Sequence, residues 1–167
     1  TPDIEVFSID ECFIEYTNVK KLYGNEVEFA RKLSNEIKTR LGFTVNIGIG
    51  NNKLCAKMAS DFSKPDKIHT LYSNEVEEKM YPLPVSELFG IGKKTSEKLN
   101  SIGIYTIGDL ANANPQKLSK IFKNQAIKMI ETARGIDNSK VDSSDYNPKG
   151  ISNEITLDHN IIDENEV

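Results

Sequence analysis

Tryptophan is absent from this 167-residue sequence, and cysteine and histidine occur only twice each. Cys12 and Cys55 lie far apart with no CxxC spacing, and His69 and His159 are isolated, so neither a zinc site nor a disulfide framework is supported. The cysteines read as buried or incidental thiols. No apolar run approaches the roughly 20 residues that a membrane-spanning helix needs. The start at Thr1-Pro2-Asp3 carries no Met, basic segment or apolar stretch of a signal peptide. The expectation is a cytoplasmic polypeptide with both ends cut from a longer one. What is present is ordinary for a globular chain, 38% hydrophobic and 28% charged residues, with room for one domain or two small ones.

The net charge of −4 argues at first against a polyanionic partner, but its distribution matters more than its sum. Five carboxylates, Glu154, Asp158, Asp163, Glu164 and Glu166, follow Lys149 with no Lys or Arg among them, so the remainder carries +1. Between Asp109 and Glu131 the only charges are Lys117, Lys120, Lys123 and Lys128. Such a stripe is either a solvated helix face or a set of phosphate contacts.

Periodicity divides the chain. Val6, Phe7, Ile9, Phe13, Ile14 and Tyr16 predict two short strands, with the adjacent carboxylates Asp10 and Glu11 at the tip of the hairpin between them. Val27, Ala30, Leu33, Ile37 and Leu41 predict a helix opening near Asn25 and closing at Gly42. Val45, Ile47 and Ile49 alternate as a strand; a helix follows from about Asn52 to Phe62 and stops ahead of Lys64-Pro65. Thr70-Leu71-Tyr72 closes this part as a strand. The pattern is that of an α+β layer with two helices on one sheet face. After Ser73 short helices take over, with Pro84 starting one, Gly103 ending another, Thr106 and Asp109 capping a third, Asn114-Pro115 opening a fourth, and a last one running from about Asn124 to Arg134. Asp137 to Lys149 is rich in Ser, Asp, Asn and Pro and reads as a linker. Ile151 to Leu157 alternates as a lone strand, which implies a further domain.

Three segments carry chemistry. Two carboxylates at a strand turn repel unless a cation lies between them, and a compact oxygen cluster suits Mg²⁺; a solvated turn is the plainer alternative. Lys64, at a rigid helix exit, is a point charge suited to polyphosphate, or a surface lysine before a linker. Lys53 and Lys57, four apart on one helix face, either serve the same field or are solvated. Leu88-Phe89-Gly90-Ile91-Gly92-Lys93-Lys94-Thr95 has the form of a helix-hairpin-helix, whose glycines let backbone approach a phosphate and whose next helix start favours an anion. An αα turn with a glycine cap is the alternative. A nucleotide P-loop fails, since it needs glycine at Glu87 and Ser or Thr at Lys94.

The segment Ser8-Ile9-Asp10-Glu11-Cys12-Phe13 resembles the palm motif of Y-family translesion DNA polymerases. The stretch Gly48-Ile49-Gly50-Asn51-Asn52-Lys53 through Lys64-Pro65-Asp66 is similar to a second motif of that family, and the helix-hairpin-helix, Ile107-Gly108-Asp109-Leu110-Ala111, Ala133-Arg134-Gly135-Ile136-Asp137 and Lys149-Gly150-Ile151 continue the likeness in order. The nearest branch is that of DNA polymerase IV. The resemblance implies a partial palm at 1–72 (mixed or antiparallel sheet with two helices), a small all-α thumb at 73–136, a linker at 137–150 and the start of a little finger domain at 151–167. It implies Asp10 and Glu11 as catalytic and metal-binding residues with Mg²⁺, Lys64 as a triphosphate ligand, and Gly90, Gly92, Lys93 and Thr95 as contacts to the DNA backbone. Implied partners are primer-template DNA and deoxynucleoside triphosphates, with any sliding-clamp contact beyond this sequence. The family's first metal-binding aspartate, its fingers and its ribose gate have no counterpart here, so the fragment alone is expected to be inactive. Two other readings stand beside this one: a non-catalytic DNA-binding module built on residues 83–103, and a metal-dependent nuclease using Asp10 and Glu11.

Overall fold

A computed structural model describes residues 3–144. The lone strand expected at Ile151–Leu157, the acidic tail and the last part of the linker lie outside those residues. Strands β1 (Ile4–Val6) and β2 (Cys12–Ile14) form an antiparallel hairpin in which Ile4 faces Ile14 and Val6 faces Cys12. A turn of 3₁₀ helix at Thr17–Val19 runs into α1 (Lys20–Tyr23). Helix α2 (Glu26–Leu41) starts where the Asn25 side chain accepts hydrogen bonds from the Val27 and Glu28 amides, and it ends at Gly42, whose φ of 76° is the left-handed cap expected there.

Strands β3 (Ile47–Gly50) and β4 (Ile68–Leu71) pair in parallel, joined by α3 (Lys53–Asp61) as the crossover. Two glycines decide this unit. A Cβ on Gly48 would stand 1.9 Å from the Ala56 carbonyl oxygen, and one on Gly50 would stand 2.7 Å from the Ala56 nitrogen, so α3 lies directly against the backbone of β3. The strand pairing is mixed, as expected, but it falls into two separate two-stranded ladders rather than one sheet among the described residues.

The second half is helical: α4 (Val76–Lys79), α5 (Lys93–Asn100), α6 (Ile107–Ala111), α7 (Pro115–Phe122) and α8 (Gln125–Ala133). Thr106 and Asp109 form a reciprocal capping box on α6, and Asn114 with Pro115 opens α7. Pro84, expected to start a helix, precedes only a 3₁₀ turn at Val85–Glu87, because Leu88 returns to extended backbone and Gly90 takes φ 86°. Leu54, Met58 and Leu71 of the first half and Val76, Met80, Leu88, Leu99, Leu110 and Ile130 of the second are buried in one continuous core. At about 1.5–3 kcal/mol for each fully buried large side chain, this core holds α3 and the helical half together.

Residues 137–144, read as linker, have no helix or strand but are tied to α3 and β1. Asp137 accepts from the Leu54 amide at 3.3 Å, Asn52 donates to the Gly135 carbonyl at 2.8 Å, and the Asp142 amide donates to Glu5 at 2.8 Å.

Candidate active site and nucleic-acid interface

The hairpin loop between β1 and β2 is closed by its own backbone, with the Phe7 and Ser8 amides both donating to the Glu11 carbonyl at 2.9 and 3.1 Å. This turns the Asp10 side chain outward, where the Ser8 hydroxyl donates to Oδ1 at 2.8 Å. Asp10 is exposed, and its other oxygen has no partner among the described residues. Glu11 is held differently: its Oε1 lies 2.7 Å from Lys57 Nζ. Both acids therefore sit on one short turn, offering hard oxygen donors of the kind Mg²⁺ takes. A third carboxylate, histidine or cysteine does not join them among the described residues.

A hairpin of two three-residue strands is marginal alone, and the structure shows what fastens this one. Lys53 Nζ lies 2.6 and 2.7 Å from the two oxygens of Glu5 on β1 and 5.0 Å from the Phe13 ring centroid on β2. The hydrogen bond from Lys53, then that from the Asp142 amide, holds the Glu5 carboxyl below its usual pKa. Phe7 meets Phe13 edge-on at 5.2 Å and reaches Phe89 of the second hairpin at 6.0 Å. That last contact connects the carboxylate loop to the glycine-rich loop.

Lys64 is not free-standing. Its Nζ pairs with Asp61 Oδ1 at 2.9 Å, while Asp61 Oδ2 lies 3.0 Å from Lys57 Nζ. Burial raises the Asp61 carboxyl, but its bonds to Lys64 and Lys57 outweigh this and the net shift is downward. Asp66 turns back toward α2, accepting from Lys38 at 2.7 Å and Ser34 at 3.4 Å, which fixes the exit on which Lys64 stands. The partners Glu5, Asp61 and Asp66 were not legible as such in the sequence; the only local signals were the i,i+4 spacing of Lys57 and Asp61 and the i,i+3 spacing of Asp61 and Lys64.

The glycine-rich loop leaves backbone donors open at the start of α5. Gly90 occupies φ 86°, which asks for glycine, whereas Gly92 caps α5 at φ −81°, a conformation open to any residue. No heavy atom other than immediate neighbours lies within 4 Å of the Cβ that either glycine lacks. Thr95 and Ser96 amides both turn inward to the Gly92 carbonyl at 3.0 Å. Among the described residues the amides of Gly92, Lys93 and Lys94 have no acceptor, leaving donors for an anion at the start of α5. Lys93 and Lys94 are exposed beside them, and Thr95 with Lys94, Lys98 and Lys123 lines an open cleft of about 520 Å³ running to the α7–α8 turn.

The carboxylate hairpin is fastened to the β3-α3-β4 unit by Lys53 and Lys57, and its Phe7 reaches Phe89 of the glycine-rich loop. The impB/mucB/samB family model matches residues 1–61, and the IMS family HHH motif matches residues 73–104. The DNA polymerase IV of Clostridium acetobutylicum is 49% identical over all of this chain, and DNA polymerase IV 1 of Bacillus subtilis is 37% identical over 98% of it. The structure of DinB from Sulfolobus solfataricus superposes with a TM-score of 0.73 at 32% identity, covering 84% of this chain and 42% of that one. A Y-family polymerase chimera, Dbh-Dpo4(243-245)-Dbh, superposes at 0.75 with 33% identity, covering 86% of this chain and 42% of that one. The chain belongs to the Y-family DNA polymerases. It spans 42% and 40% of the length of these two curated relatives.

Proposed function

We propose that this chain is the back half of the palm, at 1–72, and the thumb, at 73–136, of a DNA-directed DNA polymerase that carries out translesion synthesis. The observation that carries the reading is the placement of two adjacent carboxylates, Asp10 turned outward and Glu11 held by Lys57, on a turn whose neighbouring loop offers unpaired amides at the start of α5. The first suits metal-assisted transfer at phosphorus and the second suits the backbone of duplex DNA.

In this reading Asp10 and Glu11 would hold Mg²⁺. The chemistry Mg²⁺ supplies there is activation of the primer 3′ hydroxyl and neutralisation of the departing pyrophosphate. Lys64 exchanges its pairing with Asp61 for the triphosphate of the incoming nucleotide, a step that asks only for rotation of its flexible stem. Gly90, Gly92, Lys93 and Thr95 grip the DNA backbone without reading sequence, because amides and ammonium groups see phosphate and not base edges. The 167-residue polypeptide by itself is expected to bind duplex weakly and to extend no primer, since displacement at phosphorus needs more metal ligands than this turn offers. The cell compartment that fits this work is the cytoplasm.

The test is template-directed extension of a labelled primer by the full-length protein, on intact template and opposite an abasic site. Extension dependent on nucleotide and Mg²⁺ supports the reading. Binding without extension would leave a DNA-binding module, and degradation without nucleotides would make the protein a nuclease.

A further inference from the structure

Helix α3 presents two lysines, one turn apart, to the carboxylate hairpin. Lys53 takes Glu5 on β1, and Lys57 takes Glu11 at the end of the loop, so the hairpin is clamped from both of its ends. These are not ordinary surface pairs: the Lys53 and Glu5 side chains are each 17% exposed and Lys57 is 15% exposed. Lys57 is itself oriented by Asp61, one turn along the same helix, and Asp61 passes its second oxygen to Lys64. An unbroken chain of alternating charge thus runs from Glu11 through Lys57 and Asp61 to Lys64.

We propose that Lys57 is a positioning residue that fixes the rotamer of Glu11, and that it does not itself contact nucleotide. This rests on the reading of Glu11 as part of the transfer site and assigns the lysine that reading leaves without a role. A glutamate on a loop has three rotatable bonds, and its carboxylate samples many positions unless something selects one. Here one oxygen is taken by an ammonium whose own direction is set by a second carboxylate, while Oε2 of Glu11 has no partner among the described residues. Holding one oxygen and leaving the other open is what a carboxylate needs to present a ligand oxygen in a constant direction. Lys57, largely enclosed and already shared between two acids, has little reach left for a phosphate. Lys64, 57% exposed, keeps that reach.

The experiment uses the full-length protein with primer-template and Mg²⁺, comparing Lys57→Met, Lys57→Arg, Glu11→Gln and the Lys57→Met/Glu11→Gln pair. Alongside kcat, the Kd of a non-hydrolysable nucleotide is measured on a dideoxy-terminated primer, and melting temperatures are recorded. Lys57→Met is expected to lower kcat about tenfold with nucleotide Kd within about twofold, Lys57→Arg to recover most of the loss, and the double variant to be no slower than Glu11→Gln alone, because effects that pass through one group are not additive. Multiplying losses in the double variant, a nucleotide Kd raised with kcat intact, or an arginine variant as slow as the methionine one would each overturn the proposal. If Lys57→Met does not fold, Asp61→Asn releases Lys57 at a side chain that is 42% exposed. Its kcat should fall by two- to fivefold, and an unchanged kcat would overturn the proposal equally. Should Glu11→Gln extend primers at the wild-type rate, the assignment of Glu11 fails and this inference with it; a full loss in Glu11→Gln with a silent Lys57→Met sinks the inference alone.

Discussion

Replacing Gly48 by alanine sets a methyl group 1.9 Å from the Ala56 carbonyl oxygen and 2.4 Å from the Ser60 nitrogen, both in the backbone of α3. Cβ contacts under 3.0 Å are essentially never seen, so α3 has to retreat from β3 by about 1 Å or more. It has nowhere to go, since Leu54, Cys55, Met58 and Ala59 on the same helix are packed into the core. Overpacking of a core typically costs about 1–3 kcal/mol, and a rigid backbone obstacle belongs at or beyond the top of that range. A loss of about 3 kcal/mol is a large part of the roughly 5–15 kcal/mol that holds a domain together. It corresponds to a fall in melting temperature of roughly 6–12 °C for a chain of this size. Urea unfolding followed by circular dichroism measures this directly, with Gly92→Ala as the control because no heavy atom beyond its neighbours lies within 4 Å of that Cβ position. A Gly48→Ala protein within about 0.5 kcal/mol of wild type would refute the close packing of α3 on β3, and with it the placement of Lys53 and Lys57 against the hairpin.

The same geometry leads to other expectations. Gly92→Val should fold normally, given φ −81° and open space, yet bind duplex DNA more weakly, with wild-type affinity near the non-specific range of roughly 10⁻⁴ to 10⁻⁶ M and falling as salt rises; equal binding by both proteins at two salt concentrations would contradict the hairpin's role. Lys64→Ala in the full-length protein should lower kcat/KM for nucleotide while leaving DNA affinity unchanged, a split that steady-state kinetics and a binding titration resolve. Burial pushes the Cys55 thiol up to about 11, so at pH 8 it stays protonated and slow to alkylate, while the exposed Cys12 reacts first; mass spectrometry of a brief iodoacetamide pulse should find the adduct on Cys12, and equal labelling of folded protein would count against the buried position.

Local signals were legible wherever a single residue decides a backbone event. Asn25, Asn52, Thr106 with Asp109, and Asn114 with Pro115 all cap the helices their types predict, and Gly42, Gly103 and Gly135 all take positive φ at helix ends. Pro84 misled because proline's fixed φ suits a 3₁₀ turn as well as an α-helix, and the return to extended backbone at Leu88, four residues later, leaves no room for more. The site was legible as residue types and not as contacts. Nothing local marks Glu5 as the partner of Lys53, 48 positions away, or Asp137 as a second acceptor for the α3 start, 83 positions away. Those pairings exist only once β1, α3 and the end of α8 are brought together by the core, and a charge alone does not name its counter-ion.

The central claim is that Asp10 sits where metal and substrate meet while the glycine-rich loop holds the duplex independently of it. Single-turnover primer extension and duplex binding, measured side by side on wild-type and Asp10→Ala full-length protein, test both halves at once. The account predicts extension slower by about a hundredfold or more in Asp10→Ala, with duplex affinity within about twofold of wild type. Extension by Asp10→Ala at near the wild-type rate would contradict it.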